Sequence, residues 1–338
     1  MERKIDFDIA KGLGAYLVVL GHVQQAVAGQ CSTLITLCHM PLFFWISGYF
    51  MRRCTSRREW WNQAVRKNRR LLLPYLIWSA AALALNILPL LPKGSFSLDA
   101  AAREFTDIFL YARSAWFLAA LWIVELMGSL ACVLSRKLRL NKYILLTAFW
   151  IGSVALPLDG IFQFYKVKWL MPFFIFGAAS NEFALYERAN KRAVLCAGCL
   201  FPILGWTLAG GASFDQYITC AYTGAGSVLA GAGYYVVSGL SVCLVMGLSG
   251  TLGEKVIRWA APVGQISLEI YVLHMFFVKL LPLLPAVDGV AGQALQILYA
   301  AVIVAAIWVL VTYILNRIPL FRLCVGREWR DVKKKLKA

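Results

Sequence analysis

Residues Leu295–Asn316 read LQILYAAVIVAAIWVLVTYILN, an apolar run without a single Asp, Glu, Lys or Arg. A helix rises about 1.5 Å per residue and the hydrocarbon core of a bilayer is about 30 Å thick, so this run is long enough to cross one. It stops at Arg317, and the chain then turns basic, ending Lys333-Lys334-Lys335-Leu336-Lys337-Ala338. Comparable runs stand near residues 8–28, 32–51, 71–91, 115–134, 143–157, 169–186, 194–210, 228–250 and 260–282, with 143–157 the shortest. They are continuously apolar, whereas the strands of a membrane β-barrel alternate apolar and polar residues. The expected fold class is therefore all-α integral membrane, with about ten transmembrane helices.

Composition agrees: 60% of the 338 residues are hydrophobic and 15% are charged, against about 25% charged in soluble domains. No hydrophilic block is long enough to fold separately. The reading is one polytopic membrane domain over residues 1–338, with residues 318–338 as a basic cytoplasmic tail.

The 34 basic residues set an orientation. Cytoplasmic loops collect Lys and Arg. With the N-terminus inside, ten spans place Met1–Lys4, Arg52–Arg70, Arg136–Lys142, Arg188–Arg192, Lys255–Arg258 and Arg317–Lys337 on the cytoplasmic side. Lys93, Arg103, Arg113, Lys166, Lys168 and Lys279 fall outside or at the outer edge. Both termini are thus expected in the cytoplasm, and the net charge of +17 is mainly a topology signal. Because the basic loops alternate with spans, nucleic acid is not an expected partner. The first run lacks a small-residue cleavage site and reads as a retained span. The expected location is a bacterial inner membrane. The nine cysteines read as scattered packing residues that suggest neither a disulfide framework nor a zinc site.

Ionisable side chains inside spans are costly and mark functional sites by default. Lys11, His22, His39, Glu125, Glu269 and His274 meet that description, and they include all three histidines of the chain. Lys11 and His22 are eleven residues apart, which puts them within about 20° on one helix face and roughly 16 Å apart along it. Asp8 sits one turn before Lys11. This polar stripe reads as the wall of a passage, or as an Asp8–Lys11 helix anchor with His22 bonded to a neighbour. His39 opens the apolar second span, in which Pro41 and the Ser47-Gly48 pair favour close helix approach.

Two stretches carry a resemblance. Asp8-x-x-Lys11 followed by His22, then His39-Met-Pro-Leu-Phe-Phe-Trp-Ile-Ser47-Gly-Tyr49, is similar to acyltransferase family 3. Shorter matches follow in Arg66-Lys67-Asn68-Arg69-Arg70 before Leu71–Tyr75, in Trp116-Phe117-Leu118, and in Ser267-Leu-Glu269-Ile-Tyr-Val-Leu-His274. The resemblance implies a membrane O-acyltransferase of about ten spans that takes an acyl group, acetyl by family habit, from cytoplasmic acyl-CoA. The acceptor it implies is a hydroxyl of an envelope glycan or lipid-linked sugar. Family members commonly carry Arg where Lys11 stands, and a lysine offers a point charge instead of a fork.

Acyl transfer from a thioester to a hydroxyl needs a base, and histidine suits neutral pH. His22 is the candidate; His39 is placed to orient it, and His274 to hold the acceptor or share the proton. Lys11 completes the expected catalytic set. Arg66, Arg69 and Arg70 are expected to meet the phosphates of acyl-CoA, or else to act as a positive-inside anchor beside Trp60 and Trp61. Asp8, Ser47, Trp116, Glu125 and Glu269 are expected as support. No metal is expected. The expected partners are acyl-CoA, the acceptor and the lipid bilayer, and a homo-oligomer stays open. A transporter or flippase, or an amino-acid-handling membrane module, would share this architecture.

Overall fold

The computed structural model describes residues 4–28, 33–90, 97–209, 227–253, 255–281 and 289–327. Among them the regular structure is helical. The helices are α1 (Ile5–Ala28), α2 (Thr33–Tyr49), α3 (Arg57–Lys67), α4 (Leu73–Ile87), α5 (Leu98–Phe105), α6 (Trp116–Leu138), α7 (Lys142–Ala155), α8 (Phe164–Glu182), α9 (Leu185–Arg188), α10 (Lys191–Gly198), α11 (Phe201–Ala209), α12 (Ser227–Leu252), α13 (Ala260–Gln265), α14 (Ser267–Val278), α15 (Gly289–Val309) and α16 (Pro319–Cys324).

A helix stands on each apolar run. Four described helices are long and apolar enough to cross a membrane: Arg57–Ile87, Trp116–Leu138, Gly231–Leu252 and Gly289–Arg317. Shorter apolar helices are Thr33–Tyr49, Lys142–Ala155 and Ser267–Val278. Two expected spans are broken. The run 194–210 divides at Cys199–Leu200, just before Pro202, whose missing N–H suits only the first turn of a new helix. The run 260–282 divides at Ile266, whose φ of −116° and ψ of 24° leave the helical region. Cys196 and Cys199 stand at a C-x-x-C spacing that a reading of the cysteines as scattered overlooks. Both are exposed and free.

Many large apolar side chains face outward, among them Ile144, Ile151, Ile203, Trp206, Ile297, Leu298 and Val302, each more than half exposed. Water would penalise such surfaces, which lipid accepts. The chain is a multi-pass helical membrane protein.

The chain folds as two compact units, each built from separated stretches: residues 1–46 with 182–314, and residues 47–181 with 315–338. In the first unit α1 packs on α12, α13, α14 and α15. Small residues permit the closest approach, since a Cβ on Gly264 would fall 1.7 Å from the Asp8 carbonyl oxygen and one on Gly12 2.1 Å from that of Ala260. The α10–α12 crossing uses the same device at Gly198 against Leu244 and Gly247 against Leu195. Without a hydrophobic drive between helices in lipid, such contacts supply much of the association.

In the second unit α6 packs on α3 and α7, and Gly48 admits the backbone of Phe174. Ser56 caps α3 by accepting the Glu59 amide at 3.2 Å, while the Glu59 carboxylate reaches back to the Thr55 amide at 2.7 Å. This is a capping-box arrangement displaced by one residue. Lys168, expected outside or at the outer edge, lies on α8 and is 3% exposed. Its ammonium meets the Leu156 carbonyl at 2.8 Å and Asp159 Oδ1 at 2.6 Å, closing the C-terminal end of α7.

Candidate active site

The first unit gathers the histidines. His22 lies near the end of α1, half-buried, and its ring centroid is 4.9 Å from that of His274 on α14, with the planes tilted by 41°. Both His22 and His39 act electrostatically on His274. His274 is 2% exposed and His39 is 5% exposed.

Helix geometry settles two tautomers. His274 Nδ1 lies 3.1 Å from the Ile270 carbonyl oxygen, one turn earlier, and His39 Nδ1 lies 2.5 Å from that of Ile35. A carbonyl oxygen only accepts, so Nδ1 carries the proton in both rings and Nε2 of the neutral ring presents a lone pair. His274 Nε2 is buried and has no hydrogen-bond partner among the described residues. Burying an unsatisfied acceptor is costly, which makes this atom the most distinctive feature of the site.

Other expected residues lie elsewhere. Lys11 pairs with Asp8 at 3.4 Å, and Asp8 is 6% exposed. Three helical turns separate this pair from His22 along α1, so Lys11 is not beside the histidine cluster. Glu269 is buried on α14, five residues before His274. At the start of α1 a cavity of about 360 Å³ is lined by Lys4, Asp6, Tyr186, Glu187 and Lys191. Lys4 pairs with Glu187 and the Tyr186 hydroxyl donates to Asp6 at 3.1 Å. Burial lowers the Lys191 ammonium from its ordinary pKa, with Asp6 opposing. These groups satisfy one another and clamp the helix start.

The second unit holds a different constellation. The Ser47 hydroxyl donates to Glu125 Oε1 at 2.5 Å, and Lys67 Nζ lies 3.8 Å from Glu125 Oε2 while also donating to the Glu125 carbonyl. The Trp122 indole donates to Asn68 Oδ1 at 2.7 Å. Arg66, Arg69 and Arg70 are exposed. Asn68–Leu72 is a π-helical turn, so the simple three-residue spacing of Arg66 and Arg69 does not continue through the run; such turns are frequent at functional sites. Trp116, at the first turn of α6, lies under the Lys166 ammonium, which is 3.9 Å from its ring centroid. Among the described residues no group of three or more His, Cys, Asp or Glu is placed to hold a metal ion.

Lys67 and Asn68 were not singled out by sequence reasoning. Their only signal was membership in the basic run, and hydropathy cannot show which of its members turns inward.

A helical membrane chain with paired histidines in one unit and an arginine-rich turn in the other matches a known class. The acyltransferase domain family aligns with residues 4–317, nearly the whole chain. The chain belongs to that family, acyltransferase family 3. It is also similar to two proteins called nodulation protein NolL. The relative from Mesorhizobium japonicum is 31% identical over 104 residues, 28% of this chain and 28% of that protein. The one from Sinorhizobium fredii is 36% identical over 87 residues, 23% of this chain and 24% of that protein. The chain thus spans about a quarter of the length of the curated relatives it matches. No solved structure matches.

Proposed function

We propose that this protein is an O-acyltransferase that moves an acyl group, acetyl in the first instance, from cytoplasmic acyl-CoA to a hydroxyl of an envelope glycan or lipid-linked sugar. The observation that carries the reading is the half-buried His22 beside the buried Nε2 of His274, which has no hydrogen-bond partner among the described residues. His22 takes the acceptor's hydroxyl proton as the oxygen attacks the thioester carbonyl. The imidazolium so formed donates to the His274 lone pair, which lowers the cost of a charge in the membrane. His39, its Nδ1 likewise tied to its own helix, orients the cluster. The proton passes to the departing thiolate, so the products are the ester and free coenzyme A.

Incubating purified protein with acetyl-CoA and an envelope glycan extract tests the reaction. Coenzyme A release with a matching gain of one acetyl mass on the glycan is expected; intact acetyl-CoA together with unmodified glycan would leave a transporter reading in its place.

The donor contact assigned to Arg69 and Arg70 rests on their exposure and charge. Each charge-assisted contact contributes about 1.5–3 kcal/mol, so Arg69→Ala/Arg70→Ala should weaken coenzyme A binding by roughly tenfold or more. Unchanged affinity and salt dependence in the folded double variant would make the pair an anchor.

We further propose ten crossings with both termini cytoplasmic, in a bacterial inner membrane. The basic tail supports this orientation, although residues 328–338 lie outside the described residues. A cysteine placed at Ala338 should resist impermeant maleimide in intact cells and react after lysis. Labelling in intact cells would reverse the orientation.

A further inference from the structure

The second unit brings two basic segments from opposite ends of the chain into backbone contact. Gly326 adopts a φ of +71°, and a Cβ there would lie 2.6 Å from both the Arg69 carbonyl oxygen and the Arg70 Cα. That conformation favours glycine, and that closeness to backbone atoms leaves no room for a side chain. Four residues earlier, Arg322 sits on α16, whose Cys324 carbonyl accepts the Trp78 indole at 3.1 Å and fixes the helix against α4. The Arg327 amide donates to the Arg322 carbonyl at 2.9 Å, and Arg327 Nη1 donates to Asn316 Oδ1 at 2.9 Å. The loop from Arg322 to Arg327 is therefore held beside the π-helical turn.

Arg322 Nε is buried and has no hydrogen-bond partner among the described residues. None of Arg69, Arg70 and Arg322 pairs with a carboxylate among them either. A buried guanidinium N–H without an acceptor is costly. An anion with several oxygens would remove that penalty, because guanidinium forks match phosphate geometry.

We infer that Arg322 joins Arg69 and Arg70 in one binding site for a phosphate-bearing ligand. Resting on the acyl-CoA reading, the site takes the phosphates of the donor; an anionic lipid headgroup offers the same chemistry. Arg322 is then a binding residue contributed by the C-terminal segment, and Gly326 is the position that lets the segment reach the turn.

The test uses the full chain in nanodiscs. Arg322→Gln removes no internal side-chain hydrogen bond among the described residues, so folding is expected to survive. In phosphatidylcholine discs, calorimetric titration with coenzyme A should show affinity falling by about tenfold or more. Arg322→Lys, which keeps the charge and loses the fork, should fall less. Pantetheine, which has the thiol arm and no phosphate, should bind both variants and wild type alike. In discs with phosphatidylglycerol, native mass spectrometry reads retained lipid. Loss of retained lipid in Arg322→Gln with coenzyme A affinity unchanged keeps the phosphate site and assigns it to lipid. Unchanged coenzyme A affinity and unchanged lipid retention overturn the inference, leaving Arg322 an ordinary membrane-face anchor. If that happens while wild type still consumes acyl-CoA, the donor reading stands without it. Failure of wild type to bind coenzyme A, with lipid retention lost in Arg322→Gln, sinks the donor reading alone.

Discussion

His22→Gln lowers acyl transfer to less than about a hundredth of the wild-type rate, since a missing general base costs about 10²–10⁴. Glutamine keeps a hydrogen-bonding head of similar reach but takes no proton at neutral pH, so the comparison isolates basicity. The substitution should be gentle on the fold, because His22 is only half-buried near the end of α1. Coenzyme A binding, proposed for the second unit, should therefore persist. His274→Gln is the informative companion. Its amide can donate to the Ile270 carbonyl as Nδ1 does, while its oxygen still accepts from His22, so it should keep more activity than His22→Gln. Turnover above about a tenth of wild type in stable His22→Gln protein, read as acetyl-CoA consumed per minute, would move the base to another histidine.

The helical class was legible because its signal is local. A run such as Leu295–Asn316 declares itself within one segment, and the Asp8–Lys11 contact follows from a spacing of three on one helix. The meeting of His22 with His274 is different in kind. It depends on which helices pack, which no residue between them announces; the word Ser267–His274 suggested it only through family likeness. The glycines at 12 and 264 hint at a close crossing, but their partners are backbone atoms and leave no pattern to read. Hydropathy also misses the breaks at Leu200 and Ile266, since an apolar residue suits a broken helix in lipid as well as a continuous one. Lys67 follows the buried Gln63 and Ala64 at helical spacing on α3, which turns it to Glu125, and the π-helical turn at Asn68–Leu72 shifts the register only of Arg69 and Arg70 beyond it.

Gly264→Val should be among the most destabilising single substitutions in the first unit. A Cβ there meets the Asp8 carbonyl oxygen at 1.7 Å and the Gly12 amide nitrogen at 2.8 Å. Both are backbone atoms of α1, so no side chain can swing aside and the two helices have to part. The contact they would lose includes Ile9 and Ala260, each 1% exposed or less, with Ile5, Leu13 and Ile257 packed around them. Overpacking costs about 1–3 kcal/mol and more where backbone must shift. At about 2–4 °C per kcal/mol, the upper end corresponds to a thermal midpoint lowered by roughly 6–12 °C in detergent. The shift would also displace Asp8, and with it the partner of Lys11. Gly239→Ala is the matched control, because a Cβ at Gly239 meets nothing within 4 Å, and alanine is favoured over glycine in a helix by about 1 kcal/mol. It should melt at or above the wild-type temperature. A Gly264→Val protein that melts with wild type would mean that α1 and α13 do not cross at backbone contact, and that the histidine-bearing end of α1 is positioned by other helices.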